Sequence, residues 1–116
     1  MGALLRVVAA LLAVVGFLGC ASYRGARLYQ EGSAALDRGE VERAVTDLED
    51  AARLVPQASE IQNHLGLAYA AAGRDADALN AFRNAVALDC DNEAAAHNLR
   101  RAESAAALTG GTRGSR

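Results

Sequence analysis

The chain has 116 residues, room for one small domain, and 52% of them are hydrophobic, mostly Ala, Leu and Val with no Trp and a single Pro, a balance that favours helix. The formal charge is −2 and all twelve basic residues are arginine, which argues against the clustered basic footprint that nucleic acid requires and excludes Schiff-base chemistry and the phosphate-gripping lysine of a Walker loop. Two cysteines, Cys20 and Cys90, are too few for a disulfide framework and lack metal-site spacing.

Residues 1–19 read as a signal peptide. Arg6 supplies the charged start, and Val7 to Gly19 follow without a charge or a polar side chain. The uncharged run reaches only from Val7 to Tyr23, short for a permanent span, which wants roughly 20 apolar residues. It ends in Phe17-Leu18-Gly19-Cys20, which resembles the bacterial lipobox, where the cysteine thiol takes a lipid and becomes residue one after cleavage. That resemblance implies lipidation of Cys20, a membrane contact through the N-terminal lipid, and a place in the bacterial envelope. Ala21, not being Asp, is similar to the residue found there in proteins sent to the outer membrane, facing the periplasm. Ordinary secretion with cleavage after Ala21, and an uncleaved N-terminal anchor, stay open beside it. Cleavage before Cys20 leaves eleven arginines against fourteen acids, a net of −3, so charge does not draw the mature chain to anionic lipid. Residues 20–24 form a tether.

From residue 25 the sequence repeats. At an offset of 34, Gly32 aligns with Gly66, Ala34 with Ala68, Gly39 with Gly73, Ala44 with Ala78, Ala51 with Ala85 and Leu54 with Leu88, while Val45/Leu79, Leu48/Phe82 and Ala35/Tyr69 are conservative or small-for-aromatic pairs. Helices are predicted over 27–38, 41–55, 59–72, 75–88 and 93–108. Gly32 and Gly66 sit mid-helix at a cost of about 1 kcal/mol each in helix propensity, so close packing must offset it, and Ala44 and Ala78 are expected to face them. Gly39 and Gly73 end first helices in a left-handed turn. Val41, Ala44, Val45, Leu48, Ala51, Ala52 and Val55 recur at spacings of three and four, as do Ala78, Leu79, Phe82, Ala85, Val86 and Leu88, so each second helix carries one apolar stripe. Pro56 terminates the first of them.

This pattern resembles two tetratricopeptide repeats, residues 25–58 and 59–92, followed by a capping helix over 93–108, an all-α short solenoid within 25–108. It departs from the family at Leu28 and Gln62, where Trp is common, at Glu31, which replaces an apolar residue, and at Cys90, which replaces the terminating proline. The capping helix places Ala96, Leu99, Ala102 and Ala106 inward and Asn98, Arg100, Arg101 and Glu103 elsewhere. Residues 109–116 carry three glycines and are expected to form a disordered tail.

Few residues suggest chemistry. His64 and His97 lie 33 apart with no third ligand to complete a metal site, and Asp89, Asp91 and Glu93 lack the glycine and closing glutamate of a calcium loop, so capping by Asp91 or Asn92 explains them better. Cys90 is read as a partly buried small residue rather than a disulfide-forming thiol. Asp47, Glu49 and Asp50 read as a solvated helix face. No catalytic triad, phosphate loop or carboxylate pair can be argued, so neither an enzyme nor a cofactor is expected.

The family resemblance implies a concave face lined by first helices that holds a partner peptide or helix. Its groove positions fall on Tyr29, Ser33 and Leu36 in the first unit and on Asn63, His64, Leu67 and Ala71 in the second, with His97 and Arg101 extending the surface. An aromatic, aliphatics and a few hydrogen-bond donors suit an apolar strip or short helix. The expected function is an envelope-tethered scaffold that binds other proteins and no nucleic acid. The alternative is a self-associating subunit of an assembly such as a pilus or secretion apparatus, a homo-oligomer, since two repeats lie below the ~3 that usually stand alone.

Overall fold

The computed structural model describes residues 1–111, with Phe17 and Leu18 described by backbone alone. Among the described residues five helices follow one another: α1 (Gly2–Asp37), α2 (Val41–Leu54), α3 (Ser59–Ala71), α4 (Asp75–Leu88) and α5 (Glu93–Gly111). α1 pairs with α2 and α3 with α4, and α5 closes over the second pair. Two helix hairpins and a cap make the expected all-α solenoid.

The turns are built by the glycines. Gly39 and Gly73 have φ of 75° and 73°, a left-handed conformation that a Cβ would strain. Each ends its helix in a Schellman motif: the Gly39 N–H donates to Leu36 O and the Glu40 N–H to Ala35 O, while the Gly73 and Arg74 N–H groups do the same with Ala70 O and Tyr69 O. Pro56 stands in the turn just beyond α2, where Val55 is the C-cap.

The core runs along the predicted stripes. Ala44, Leu48, Ala51 and Ala85 are fully shut from solvent, and Val45, Ala78 and Phe82 nearly so. Gly32 and Gly66 are the contact points, but their partners are the large members of each stripe. A Cβ on Gly66 would stand 2.5 Å from the Phe82 ring, and one on Gly32 2.8 Å from Leu48 Cγ, so Phe82 and Leu48, not Ala78 and Ala44, fill the space each glycine leaves. The repeat register is kept, because Leu48 and Phe82 are themselves one repeat apart.

Several expectations are corrected. α1 does not begin near Arg27: it runs unbroken from Gly2, through the stretch read as a tether, because Leu, Ala and Val favour helix and no proline interrupts residues 20–24. Packing nevertheless starts at Gly25, which is buried against Leu54 and Val55. α5 continues to Gly111, three residues into the expected tail, with the Thr109 hydroxyl donating back to the Ala105 and Ala106 carbonyls; residues 112–116 lie outside the described residues. Cys90 is exposed rather than partly buried, since the turn after α4 turns it outward. Leu88 is 37% exposed, and Ala81 and Ala95, absent from the predicted stripes, are buried.

Candidate partner-binding face

The first helices α1 and α3 meet through Tyr29 and His64. The two rings lie edge to face with centroids 5.0 Å apart, the geometry that aromatic quadrupoles favour. His64 Nδ1 lies 3.0 Å from the Glu60 carbonyl, one turn back on α3, and 3.3 Å from the Tyr29 hydroxyl. A carbonyl only accepts, so a proton is assigned to Nδ1, which donates to it. Burial, and after it the Glu60 carboxylate, push the Tyr29 phenol above its ordinary value, against a smaller opposing pull from Ser33. Tyr29 therefore stays a neutral, partly apolar surface at physiological pH. Leu36 and Tyr29 are half-buried against the core, and Ser33 is half-buried on the same helix.

The second-unit residues are placed differently. Asn63 is 5% exposed, and its Oδ1 accepts from Asn98 Nδ2 at 2.9 Å, so it is spent on joining α3 to α5 and supports the face from within. Asn98, read as a solvated residue, is thereby turned inward. Leu67 and Arg101 are brought together on the walls of one groove between α3, α4 and α5. Ala71 is exposed at the end of α3. His97 is exposed and shares a depression at the α4–α5 turn with Cys90 and Arg100, apart from His64, whose ring partner is Tyr29. Among the described residues no three His, Cys, Asp or Glu side chains gather as metal ligands.

Sequence reasoning missed a polar cluster that stitches the two repeats. The Tyr69 hydroxyl donates to Glu49 Oε1 at 2.7 Å, the Arg74 guanidinium sits 4.4 Å from the centre of the Tyr69 ring, and Arg74 Nη1 is 3.8 Å from Glu49. Glu49 is thus not part of a solvated face but the link from α2 to α3. The available signal was Tyr69 itself, an aromatic standing one repeat from Ala35. Burial, and then the hydrogen bond to Glu49 and its charge, push the Tyr69 phenol up to about 12, with Arg74 opposing. A phenol whose folded pKa lies above its ordinary value near 10 stabilises the fold fully below about pH 10 and loses that contribution as pH rises towards 12. Phenolate absorbance during an alkaline titration should accordingly show Tyr69 as the last tyrosine to ionise, near pH 12, behind Tyr29, which burial also pushes up. Tyr69→Phe should remove the component near pH 12, leave the smaller delay of Tyr29, and reduce the fall in melting temperature between pH 10 and 12; if the component near pH 12 survives, the Glu49 link is absent.

The tetratricopeptide repeat family model matches residues 29–95, which takes in both helix hairpins from Tyr29 onward and the start of α5. Among curated proteins, no relative matches the chain. Such repeats generally mediate protein–protein interaction or scaffolding and are typically not catalytic. With more than half of its length matched, and with glycine-ended first helices packing on second helices in a repeated register, the chain belongs to the tetratricopeptide repeat family.

Proposed function

We propose that this protein is an envelope-tethered scaffold whose first-helix face, centred on Tyr29 and His64, holds an apolar peptide or short helix of a partner protein. The observation that carries the reading is the Tyr29–His64 pair. It joins the first helices of both repeats, is half-buried, and presents a neutral phenol beside the imidazole. Aromatic side chains held by packing supply contact area at low entropic cost, and truncating a central one typically costs ~2 kcal/mol or more of binding. Tyr29→Ala with His64→Ala is expected to abolish partner capture in a crosslinking pull-down while leaving helicity intact. Glu42→Ala with Asn84→Ala, at exposed positions on the second helices, should leave capture unchanged. The reverse pattern would put the partner on the opposite face.

The tether is proposed to be a lipid on Cys20. Supporting this, Cys20 is exposed, and the apolar residues described between Gly2 and Gly19 pack against nothing in the chain. Packing begins five residues beyond Cys20, at Gly25, so a lipid there would hold the α1–α2 end of the module close to the bilayer. A second reading, a retained N-terminal anchor, is favoured by the unbroken α1, which is long and apolar enough to cross a membrane. Mass spectrometry of the mature N-terminus separates the two. Lipidation predicts an acylated Cys20 as the first residue and loss of that species in Cys20→Ser, whereas an anchor predicts an N-terminus at Met1 that the substitution leaves alone. An acyl-bearing species persisting in Cys20→Ser would overturn the lipid reading.

A further inference from the structure

Beyond Asn98 the last turns of α5 carry mainly alanines on the side turned to α3 and α4. Side chains that short do not reach the opposite wall, and a groove of about 450 Å³ remains. Leu67, Leu79 and Phe82 form one wall, and Ala102, Ala105 and Ala106 the other. Two charges of opposite sign flank it, Asp75 at the start of α4 and Arg101 on α5. Arg27, Arg38, Arg43, Arg53, Arg74 and Arg83 each have an acidic partner in the chain, whereas Arg101 and Asp75, the two charges on this groove, form no ion pair among the described residues, as Arg6, Arg24 and Arg100 elsewhere also do not. Leu108, two turns beyond Arg101 on the same helix, is 76% exposed.

An apolar groove with a free acid on one side and, on its other wall, a helix bearing a free base and an exposed leucine is complementary to itself. Such a surface is satisfied by a two-fold axis, under which each copy offers what the other lacks. We propose that this groove is the interface between two copies of the chain. Helix α5 of each copy lies in the groove of the other, Leu108 enters beside Leu67, Leu79 and Phe82, and Arg101 pairs with Asp75 of the partner subunit. The occupant is a second copy because the same helix brings both the apolar residue and the matching charge. This interface is distinct from the Tyr29–His64 face and does not depend on it.

Sedimentation equilibrium of the full chain in density-matched detergent tests the proposal, since it reads protein mass alone. The wild type should show a monomer–dimer equilibrium. Arg101→Asp and Asp75→Arg should each weaken the dimer by about tenfold or more, because each sets like charges opposite one another twice per dimer. Mixing the two variants should restore association. In the mixed dimer the introduced aspartate of one copy faces the introduced arginine of the other, and the unaltered Arg101 and Asp75 meet at the second contact. Circular dichroism confirms that each variant remains folded. A wild type that stays at the mass of one chain, or a mixture that associates no better than either variant alone, would overturn the proposal, the first outcome leaving the groove to a different protein or to closure of α5 itself. Partner capture through Tyr29 and His64 should be unaffected by Asp75→Arg, which lies outside the partner-binding positions, so failure of one reading is distinguishable from failure of the other.

Discussion

Gly66→Leu is expected to give the lowest melting temperature of any single substitution at the helix contacts. A Cβ at this position would stand 2.5, 2.6 and 2.9 Å from three atoms of the Phe82 ring, closer than real carbon contacts allow, before the rest of the leucine is added. Phe82 is 3% exposed and held between α3 and α4, so it cannot swing into solvent to make room. Overpacking a filled contact typically costs ~1 to 3 kcal/mol, against a total stability of ~5 to 15 kcal/mol for a domain, and leucine's better helix propensity regains only about 1 kcal/mol. The assignment of Phe82 as the partner is tested by a double-mutant cycle. Gly66→Ala alone should destabilise, and combining it with Phe82→Leu should cost less than the two single changes added together, since the smaller side chain frees the space that the new methyl needs. Additive costs in thermal denaturation would show that the glycine faces something else. Gly32 against Leu48 should behave alike but more mildly, because its nearest approach is 2.8 Å, to an aliphatic side chain that yields more readily than a ring.

The repeat, the helices and their turns were legible in the sequence because each rests on local chemistry. Glycine ends a helix in the left-handed region wherever it stands, and a stripe at spacings of three and four buries one face whatever covers it. Which residue meets which across two helices is not local. The repeat pattern pairs Ala78 with Gly66 because small residues often meet where helices cross, yet the glycine instead makes room for the largest member of the stripe, Phe82. The same limit explains the candidate site. Tyr29 and His64 both read as face residues in the sequence, and the structure joins them. Asn63 reads the same way, but at that depth it meets Asn98, and a partner 35 residues later cannot be seen from the asparagine alone. Glu49 read as solvated for the opposite reason, since nothing near it in sequence announces Tyr69. At the N-terminus the sequence reads as a leader and a tether, two roles that backbone conformation does not separate, and the helix runs on through residues 20–24 into the first repeat.

The second large effect is expected at Asn92, where one side chain serves three helices. Its Oδ1 accepts from the Ala95 N–H at 3.0 Å, capping α5, and its Nδ2 donates to Ser59 Oγ at 2.9 Å. The Ser59 hydroxyl in turn donates to the Ala85 carbonyl near the end of α4 at 2.8 Å, and Ser59, the first residue of α3, is 8% exposed. A chain of three hydrogen bonds therefore fixes where α5 starts relative to the second repeat, and its members are partly or wholly shielded from water, where each bond counts for more. Losing an N-cap costs about 1 kcal/mol, and losing the bond to Ser59 adds ~0.5 to 1.5 kcal/mol. Asn92→Ala removes both, and should lower the melting temperature and speed amide exchange at Ala95 and Ala96 more than in the first repeat. Asn92→Asp separates the contributions, since its carboxylate still caps Ala95 and is favoured by the helix dipole, while its donor to Ser59 is gone. It should lie between the wild type and Asn92→Ala in stability, with exchange at Ala95 close to normal. If Asn92→Asp is as unstable as Asn92→Ala, the link to Ser59 and not the cap holds α5 in place, and if both match the wild type, the capping helix is held by Ala95 and Leu99 alone.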